Sequence, residues 1–356
     1  MRIRMPRLFS AFHCLADACP DTCCAAWEIE LDESTAARYS SDPSLSKLLR
    51  EDGVTLRQRA DGACPHLDAS GLCRSYADRP CVCREYPLYH YDLGSRREYG
   101  LSFSCPALLP LILAEKKPLL YEETDDPRVF PDTYSEIDAE LLPKILRARE
   151  TCLAYAAEQS ISLSSRMRAI LALSGAIDSA VRRRRYGAIE PPPFPLSVSA
   201  PRRSEKRMKK TAKRLLSICL SFEYLDPSHR ALFASAYDLA RRADLPLLLD
   251  AFMTHMSART HEYEKWLSQS LCRSYGFAAE TRDPLLRAKT SVSETLLLVF
   301  LGCARYVEVG DFTLDDQIEL FRIFAREYEH STENPSLLRK KLRHPAFSLR
   351  KMLASL

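Results

Sequence analysis

Beyond residue 130, apolar side chains recur about every three to four positions, the spacing of one face of an α-helix. Ile137, Leu141 and Ile145 belong to the first such stripe, and the next runs from Met167 to Val181. Glycine occurs only ten times in the chain, and its scarcity favours helices. Further helical patterns cover residues 204–223, 228–243, 246–276, 284–308, 314–330 and 335–355. The pattern therefore predicts a mostly α-helical body.

Two segments depart from the helical spacing. Trp27, Ile29 and Leu31 alternate with carboxylate residues, as in a strand with one buried face. The proline-rich run that starts at Pro191 and closes at Pro201 cannot be helical and indicates a stiff linker. We therefore predict a cysteine-rich, loop-rich module over residues 1–118, a helical segment over 119–190, a Pro-rich linker over 191–203 and a helical domain over 204–356.

Nine of the thirteen cysteines lie in the first 105 residues. The N-terminus has no apolar run of signal-peptide length, which predicts a cytoplasmic protein. In a reducing compartment, clustered thiols bind metal more often than they form disulfides. The clustered cysteines are Cys14, Cys19, Cys23 and Cys24 in a first group, and Cys64, Cys73, Cys81 and Cys83 in a second, followed by Cys105. We interpret these clusters as a metal or iron–sulfur module.

Thiolate ligands select zinc or an iron–sulfur cluster, and their spacing here leaves both open. Eight or nine thiols exceed the needs of one tetrahedral zinc site, and we interpret Cys81 as a bystander. The scattered cysteines lie in helical stripes and are expected to be buried as small apolar residues. These are Cys152, Cys219, Cys272 and Cys303.

Charge and hydropathy exclude two classes of partner. The chain carries 51 basic and 47 acidic residues, so its net charge of +4 gives no reason to expect a nucleic-acid partner. No apolar stretch approaches the roughly 18 residues of a membrane-spanning helix. Local basic runs at 182–185 and 202–214 are interpreted as solvated helix faces, in preference to a docking surface for an acidic protein.

Several fixed spacings around the cysteines resemble a known family. The second group, with its neighbours up to Tyr86-Pro87, resembles the CxxCxxCC zinc- or iron-chelating domain of the YkgJ-like proteins. The first group continues as Cys23-Cys24-x-x-Trp27-x-Ile29, and Ser102-Phe-Ser-Cys105-Pro follows downstream. Together these motifs, over about residues 5–110, resemble the flagellin lysine-N-methylase (FliB) family.

The resemblance implies a protein-lysine N-methyltransferase that uses S-adenosylmethionine to methylate surface lysines of flagellin, its protein partner. It also implies an iron–sulfur cluster, of the 4Fe-4S kind, with zinc as the alternative. The radical S-adenosylmethionine spacing C-x3-C-x2-C is not met, which favours polar methyl transfer with a structural cluster. The metal ligands carried over are Cys14, Cys19, Cys23, Cys24, Cys64, Cys73, Cys83 and Cys105.

Catalytic candidates are few. Tyr86, Tyr89, His90 and Tyr91 form an aromatic patch directly after the clustered cysteines. A tyrosine there would serve as a base for the amine, so Tyr86 and Tyr89 are the candidates, unless the patch only packs the edge of the module. Composition and spacing alone leave a non-enzymatic zinc- or iron-binding module with a partner-binding helical domain, or an electron-transfer component, as alternatives. The sequence leaves the oligomeric state open.

Overall fold

The computed structural model describes residues 1–94, 96–125, 136–189 and 202–356. Residues 191–201 of the predicted linker lie outside the described residues. Within the described ranges the chain forms fifteen α-helices and four β-strands, and no helix there is long and apolar enough to cross a membrane. The prediction of a mostly α-helical protein with a cysteine-rich, loop-rich N-terminal part is confirmed.

The cysteine-rich part is built from loops around a small core of its own. It contains the short helices α1 (Cys23–Ala26), α2 (Glu33–Ser41) and α3 (Cys81–Glu85). The Asp32 carboxylate accepts hydrogen bonds from the backbone N–H groups of Thr35, at 3.0 Å, and Cys81, at 3.1 Å. It therefore caps α2 and fixes the start of α3 at the same time. The small core consists of Leu31, Ala36, Tyr39, Leu49, Leu56 and Cys64.

A small sheet adjoins this part, with strands β1 (Arg2–Pro6), β2 (Leu88–Leu93), β3 (Arg96–Leu101) and β4 (Tyr121–Asp125). The strand order is β2-β3-β1-β4, with β1 parallel to β3 and antiparallel to β4. The strand expected from the Trp27–Asp32 alternation does not form. Glu30 makes only an isolated bridge to Thr55, although Leu31 is buried and Glu28 and Glu30 are exposed as the alternation predicted.

The remaining helices form one body, in which one long helix is central. They are α4 (Leu109–Ala114), α5 (Leu141–Ala157), α6 (Leu163–Arg182), α7 (Glu205–Cys219), α8 (Arg230–Arg242), α9 (Leu245–His255), α10 (His261–Tyr275), α11 (Ala278–Thr281), α12 (Pro284–Val309), α13 (Leu314–Glu329), α14 (Glu333–Leu342) and α15 (Leu349–Leu353). Every residue of α12 from Ala288 to Ala304 is buried, because α6, α8, α10 and α13 pack around it. A helix buried on all sides is the centre of a bundle.

The sheet and the helices share one large hydrophobic core. The Phe103 ring, directly after β3, packs edge-on against Trp266 of α10 at 5.2 Å between ring centroids and lies 6.0 Å from Phe321 of α13. The buried Arg149 of α5 donates two hydrogen bonds, of 2.6 and 2.9 Å, to Glu98 of β3. The Phe103 contacts hold the end of β3 against α10 and α13, where the candidate site lies, and the Arg149 hydrogen bonds join β3 to α5.

Candidate metal centre and adjoining cavity

Four thiols of the cysteine-rich part lie close to one another. Cys24 in α1 and Cys64 are joined by a hydrogen bond from the Cys64 N–H to the Cys24 carbonyl, at 2.7 Å. Cys73 forms an isolated β-bridge with Leu67, and Cys83 lies in α3. Burial, and after it the neighbouring thiols of Cys24, Cys64 and Cys73, raise the pKa of Cys83 to about 12. The electrostatic contacts of Cys83 therefore group these four thiols together.

The other thiols expected to bind metal group with Cys105, which belongs to the large core. Burial, with a smaller contribution from the thiols of Cys19 and Cys14, raises the pKa of Cys105 to about 11 against the opposing effect of hydrogen bonds from nearby backbone N–H groups. Cys23 lies between the two sets, because its thiol interacts with Cys24 and Cys83 on one side and with Cys14 on the other. Its hydrogen bond to Cys24 is the main cause that lowers the pKa of the Cys24 thiol to about 6.

The clustered thiol side chains suit a soft metal ion or an iron–sulfur cluster. All thirteen cysteines lie in the described ranges and none forms a disulfide. Cys81 stands apart, with Glu85 and Asp32 as its neighbours. Both ring nitrogens of His66 already form hydrogen bonds, with the Tyr39 hydroxyl at 2.9 Å and the Ser75 hydroxyl at 2.8 Å. In the part of the chain that the structure describes, no three ligating side chains converge into a preformed site. The residues present therefore offer thiols alone, and metal would have to draw them together and deprotonate them.

A cavity of about 290 Å³ opens beside this region, and it contains the predicted aromatic patch. One wall comes from the segment that follows the cysteines and from the sheet, and the other comes from α10, α13 and the residues after them. Its lining consists of Tyr86, Leu88, Tyr89, His90, Tyr91, Ser102, Arg273, Phe277, Glu329 and His330. Partly enclosed cavities of this kind, with aromatic walls and a few polar groups, are typical of ligand sites.

Both tyrosine candidates line the cavity as neutral phenols. The Tyr86 hydroxyl forms a 3.1 Å hydrogen bond with Ser104, and the Tyr89 hydroxyl accepts one of 2.8 Å from Gln269. Burial raises the pKa of each phenol well above its ordinary value. Neither tyrosine is therefore prepared to act as a phenolate base, and both present aromatic faces and a hydroxyl.

Glu329 is a cavity residue that sequence reasoning missed. Its carboxylate accepts hydrogen bonds from Arg273, at 2.6 Å, from the Ser102 hydroxyl, at 3.0 Å, and from the Phe103 N–H, at 3.1 Å. Burial raises its pKa, and Arg273 opposes that rise. The residue thus connects the end of α13 to the end of β3.

His330, also missed, lies beside it at the boundary with the cysteine loop. Its Nε2 forms a 2.7 Å hydrogen bond with Ser104, and its ring lies 3.8 Å from that of Trp27. Burial, followed by the positive charges of Arg326 and Arg273, lowers the pKa of His330 to about 4, so the imidazole is neutral at pH 7. No local motif marks Glu329 or His330; the one available signal was their position at the end of the helix predicted over residues 314–330.

Two family models match separate parts of the chain. Residues 13–103 match the CxxCxxCC family, "Putative zinc- or iron-chelating domain". Residues 202–355 match the FliB lysine N-methylase C-terminal domain. The two walls of the cavity come from these two matched parts: Tyr86 to Ser102 from the first, and Arg273 to His330 from the second.

Curated relatives point the same way. The flagellar biosynthetic protein FliU of Salmonella muenchen is 28% identical over 126 residues, which cover 30% of this chain and 75% of that protein. A lysine-N-methylase of Salmonella typhimurium is 26% identical over 136 residues, 33% of this chain and 34% of that protein. A lysine-N-methylase of Salmonella choleraesuis matches to the same extent, so the chain spans about a third of the length of these two relatives. No solved structure matches. The chain thus carries a CxxCxxCC domain and a FliB lysine N-methylase C-terminal domain, and its resemblance to the flagellin lysine-N-methylase family is confirmed.

Proposed function

We propose that the protein is a lysine N-methyltransferase that acts on flagellin and takes its methyl group from S-adenosylmethionine. The observation that carries this proposal is the composition of the cavity, whose walls come from the CxxCxxCC domain and from the FliB C-terminal domain. A site that needs both matched domains explains why one chain contains them. The curated relatives named lysine-N-methylase supply the reaction class.

Methyl transfer to an amine needs a neutral lysine, an electrophilic methyl group and a dry site that aligns the two. The methyl donor supplies that methyl group on a sulfonium. The lysine ammonium first gives one proton to water. The nitrogen–carbon bond then forms as the carbon–sulfur bond breaks, the electron pair stays on sulfur, and the product is a methylammonium. The chain's contribution is to orient the reactants and exclude water, because both phenols stay protonated.

Individual cavity residues fit that task. The faces of Tyr86, Tyr89 and Phe277 would attract a cation, and the Glu329 carboxylate adds negative charge near the same space. His330 is neutral at pH 7, so no imidazolium repels the cationic substrate. An unperturbed lysine side chain has a pKa of about 10.4. The reaction rate is therefore expected to rise with pH, because more of the lysine becomes neutral.

We further propose that the clustered thiols hold an iron–sulfur cluster, with zinc as the alternative. Cys24, Cys64, Cys73 and Cys83 form one candidate set, and Cys14, Cys19 and Cys105 with the intermediate Cys23 form the other. Free thiols of this kind require a reducing compartment such as the cytoplasm. The metal's role would be structural. It would fix the loop around Cys24, and Trp27, three residues later, packs against His330 in the cavity wall.

The test is methylation of flagellin by the anaerobically purified full chain. With S-adenosylmethionine and no added reductant, flagellin lysines are expected to gain methyl groups in peptide mass spectra. The variant Glu329→Gln is expected to lower the rate roughly 10- to 100-fold, because the cavity loses its carboxylate. Glu319→Gln, on an exposed position of the same helix, is the matched control and keeps the rate.

Two outcomes would contradict the proposal. If the purified protein neither binds S-adenosylmethionine nor methylates flagellin, the non-enzymatic metal module is the better explanation. If methylation requires a strong reductant and releases 5′-deoxyadenosine, the polar mechanism is wrong and the cluster is catalytic. Iron and acid-labile sulfide in comparable amounts are expected in the purified protein. Stoichiometric zinc without sulfide would show that the thiols bind zinc and not a cluster.

A further inference from the structure

A second cavity, of about 300 Å³, lies against the first and shares part of its wall. Arg273, Phe277 and Glu329 line both cavities. The second differs in chemistry, because its remaining wall adds two guanidinium groups, Arg287 and Arg339. A ligand that spans the shared wall would therefore meet aromatic rings on one side and arginines on the other.

The arginines of this cavity are not equally neutralised. Arg273 is paired with both Glu294, at 2.9 Å, and Glu329, at 2.6 Å. Arg287 shares the single carboxylate of Asp283 with another arginine, Arg343, at 3.3 and 2.8 Å respectively. Two positive charges thus depend on one negative charge.

Arg339 has no ion pair or hydrogen bond within the described residues. It lies near enough to Arg287 that its charge, after the larger effect of burial, lowers the pKa of the Arg287 guanidinium. Like charges brought together in a partly buried cavity are costly unless an anion joins them. The far end of the cavity therefore has an unmatched positive charge.

The hydroxyl of Tyr328 is a second observation at this cavity. Tyr328 is 2% exposed and lines the cavity, and its buried hydroxyl faces the Glu294 carboxylate without a well-formed hydrogen bond. The ring is fixed by stacking on Phe324 at 5.4 Å and by Arg273 at 5.7 Å from its centroid. A buried hydroxyl without a well-formed hydrogen bond is rare in proteins, and a polar ligand group in the cavity would satisfy it.

We propose that the second cavity binds the α-amino-acid end of the methyl donor, with Arg287 and Arg339 as the carboxylate-binding residues. Guanidinium groups suit carboxylates because their planar N–H donors match two carboxylate oxygens. Glu294 offers a carboxylate for the α-ammonium group, and the shared wall leads from there to the aromatic cavity that would take the sulfonium. This assignment rests on the proposed function, since it places one end of the same donor.

Calorimetric binding to the full chain tests the assignment without measuring turnover. The titrants are S-adenosylmethionine and its decarboxylated analogue, which keeps the sulfonium and the adenosine but lacks the carboxylate. Arg339→Gln and Arg287→Gln are each expected to weaken binding of S-adenosylmethionine roughly 10- to 100-fold. The same variants are expected to bind the decarboxylated analogue as the unaltered chain does. Lys340→Gln removes one charge from the exposed side of the same helix and is the matched control.

The outcomes separate this inference from the proposed function. If the unaltered chain binds S-adenosylmethionine but both arginine variants bind it equally well, the carboxylate assignment is overturned and the methyltransferase proposal stands. An equal loss of affinity for both titrants would also overturn it, because the arginines would then act on the cavity as a whole. If the unaltered chain binds neither titrant, both proposals fail together. Circular dichroism spectra of each variant check that it folds.

Discussion

Replacing Asp21 by Asn is expected to weaken the attachment of the cysteine-rich part to the helical body. Asp21 lies between Cys19 and Cys23, and its carboxylate accepts hydrogen bonds from Arg322, at 2.5 Å, and Arg326, at 2.6 Å. Both arginines belong to α13, one turn apart. The substitution keeps the size of the side chain but leaves two guanidinium groups without their anion.

The magnitude follows from the exposure of the three side chains, which are 23%, 21% and 18% exposed. A hydrogen bond to a charged group contributes about 1.5–3 kcal/mol, whereas a fully exposed ion pair contributes less than about 1 kcal/mol. Because this triad is mostly enclosed and contains two such bonds, Asp21→Asn should lower the free energy of unfolding by about 3 kcal/mol. That is a large part of the stability of an ordinary domain.

Urea denaturation of the parent, Asp21→Asn, Arg322→Gln and the double variant would measure this coupling in a double-mutant cycle. The control is Asp61→Asn, which removes the partner of Arg59 from a pair whose side chains are 61% and 40% exposed. That change should cost less than about 1 kcal/mol. If both aspartate variants lost the same small amount of stability, or if the Asp21 and Arg322 substitutions proved additive, the attachment through Asp21 would be refuted.

Three further predictions concern the metal and the cavity. Cys24→Ser should lower the metal content and destabilise the cysteine-rich part. Cys303→Ser, which changes a buried thiol in α12, should leave the metal content unchanged. Equal losses of metal in both variants would mean that the proposed ligand set is wrong. His330 has a folded-state pKa of about 4, below its ordinary 6.5. The contribution of its neutral form to the free energy of unfolding is therefore fully present above pH 6.5, and about 3 kcal/mol is lost as the pH falls toward 4. Urea denaturation at pH 7 and pH 4.5 should show a smaller loss for His330→Asn, and an identical pH slope would contradict the burial argument. Gly100→Ala should displace Tyr89, because the added Cβ would come within 2.5 Å of its hydroxyl; unchanged near-ultraviolet circular dichroism and unchanged ligand binding would show that the ring can move away freely.

The helices were predictable because their apolar stripes face one large core. The pattern over 284–308 corresponds to α12 (Pro284–Val309), and the pattern over 314–330 corresponds to α13 (Leu314–Glu329). The single pattern over 246–276 is divided into α9 and α10, with a short 3-10 turn over Ser257–Arg259 between them. Periodicity does not detect such a break, because the buried residues on both sides continue the same spacing.

The sheet was missed for a different reason. Its strand β3 carries Arg96, Arg97 and Glu98, which in sequence do not resemble a buried strand. Glu98 is buried because Arg149, 51 residues away, donates to it twice, which keeps the pKa of the carboxyl low, at about 2, against the opposing effect of burial. A partner so distant leaves no local pattern. The same holds for the cavity, in which Tyr86 and Tyr89 could be proposed from their nearness to the cysteines but Glu329 and His330 could not.

One face of α13 joins the parts of the proposed site. Arg322, Arg326 and Glu329 are spaced four and three residues apart, so their side chains project from the same side of the helix, and His330 follows directly. The two arginines hold the Asp21 loop between Cys19 and Cys23, while Glu329 and His330 form the cavity wall. Metal bound by the thiols on either side of Asp21 would therefore fix the loop that contacts α13, and through it the wall on which the substrates would lie. This arrangement gives a structural metal a direct effect on the cavity without any part in the chemistry.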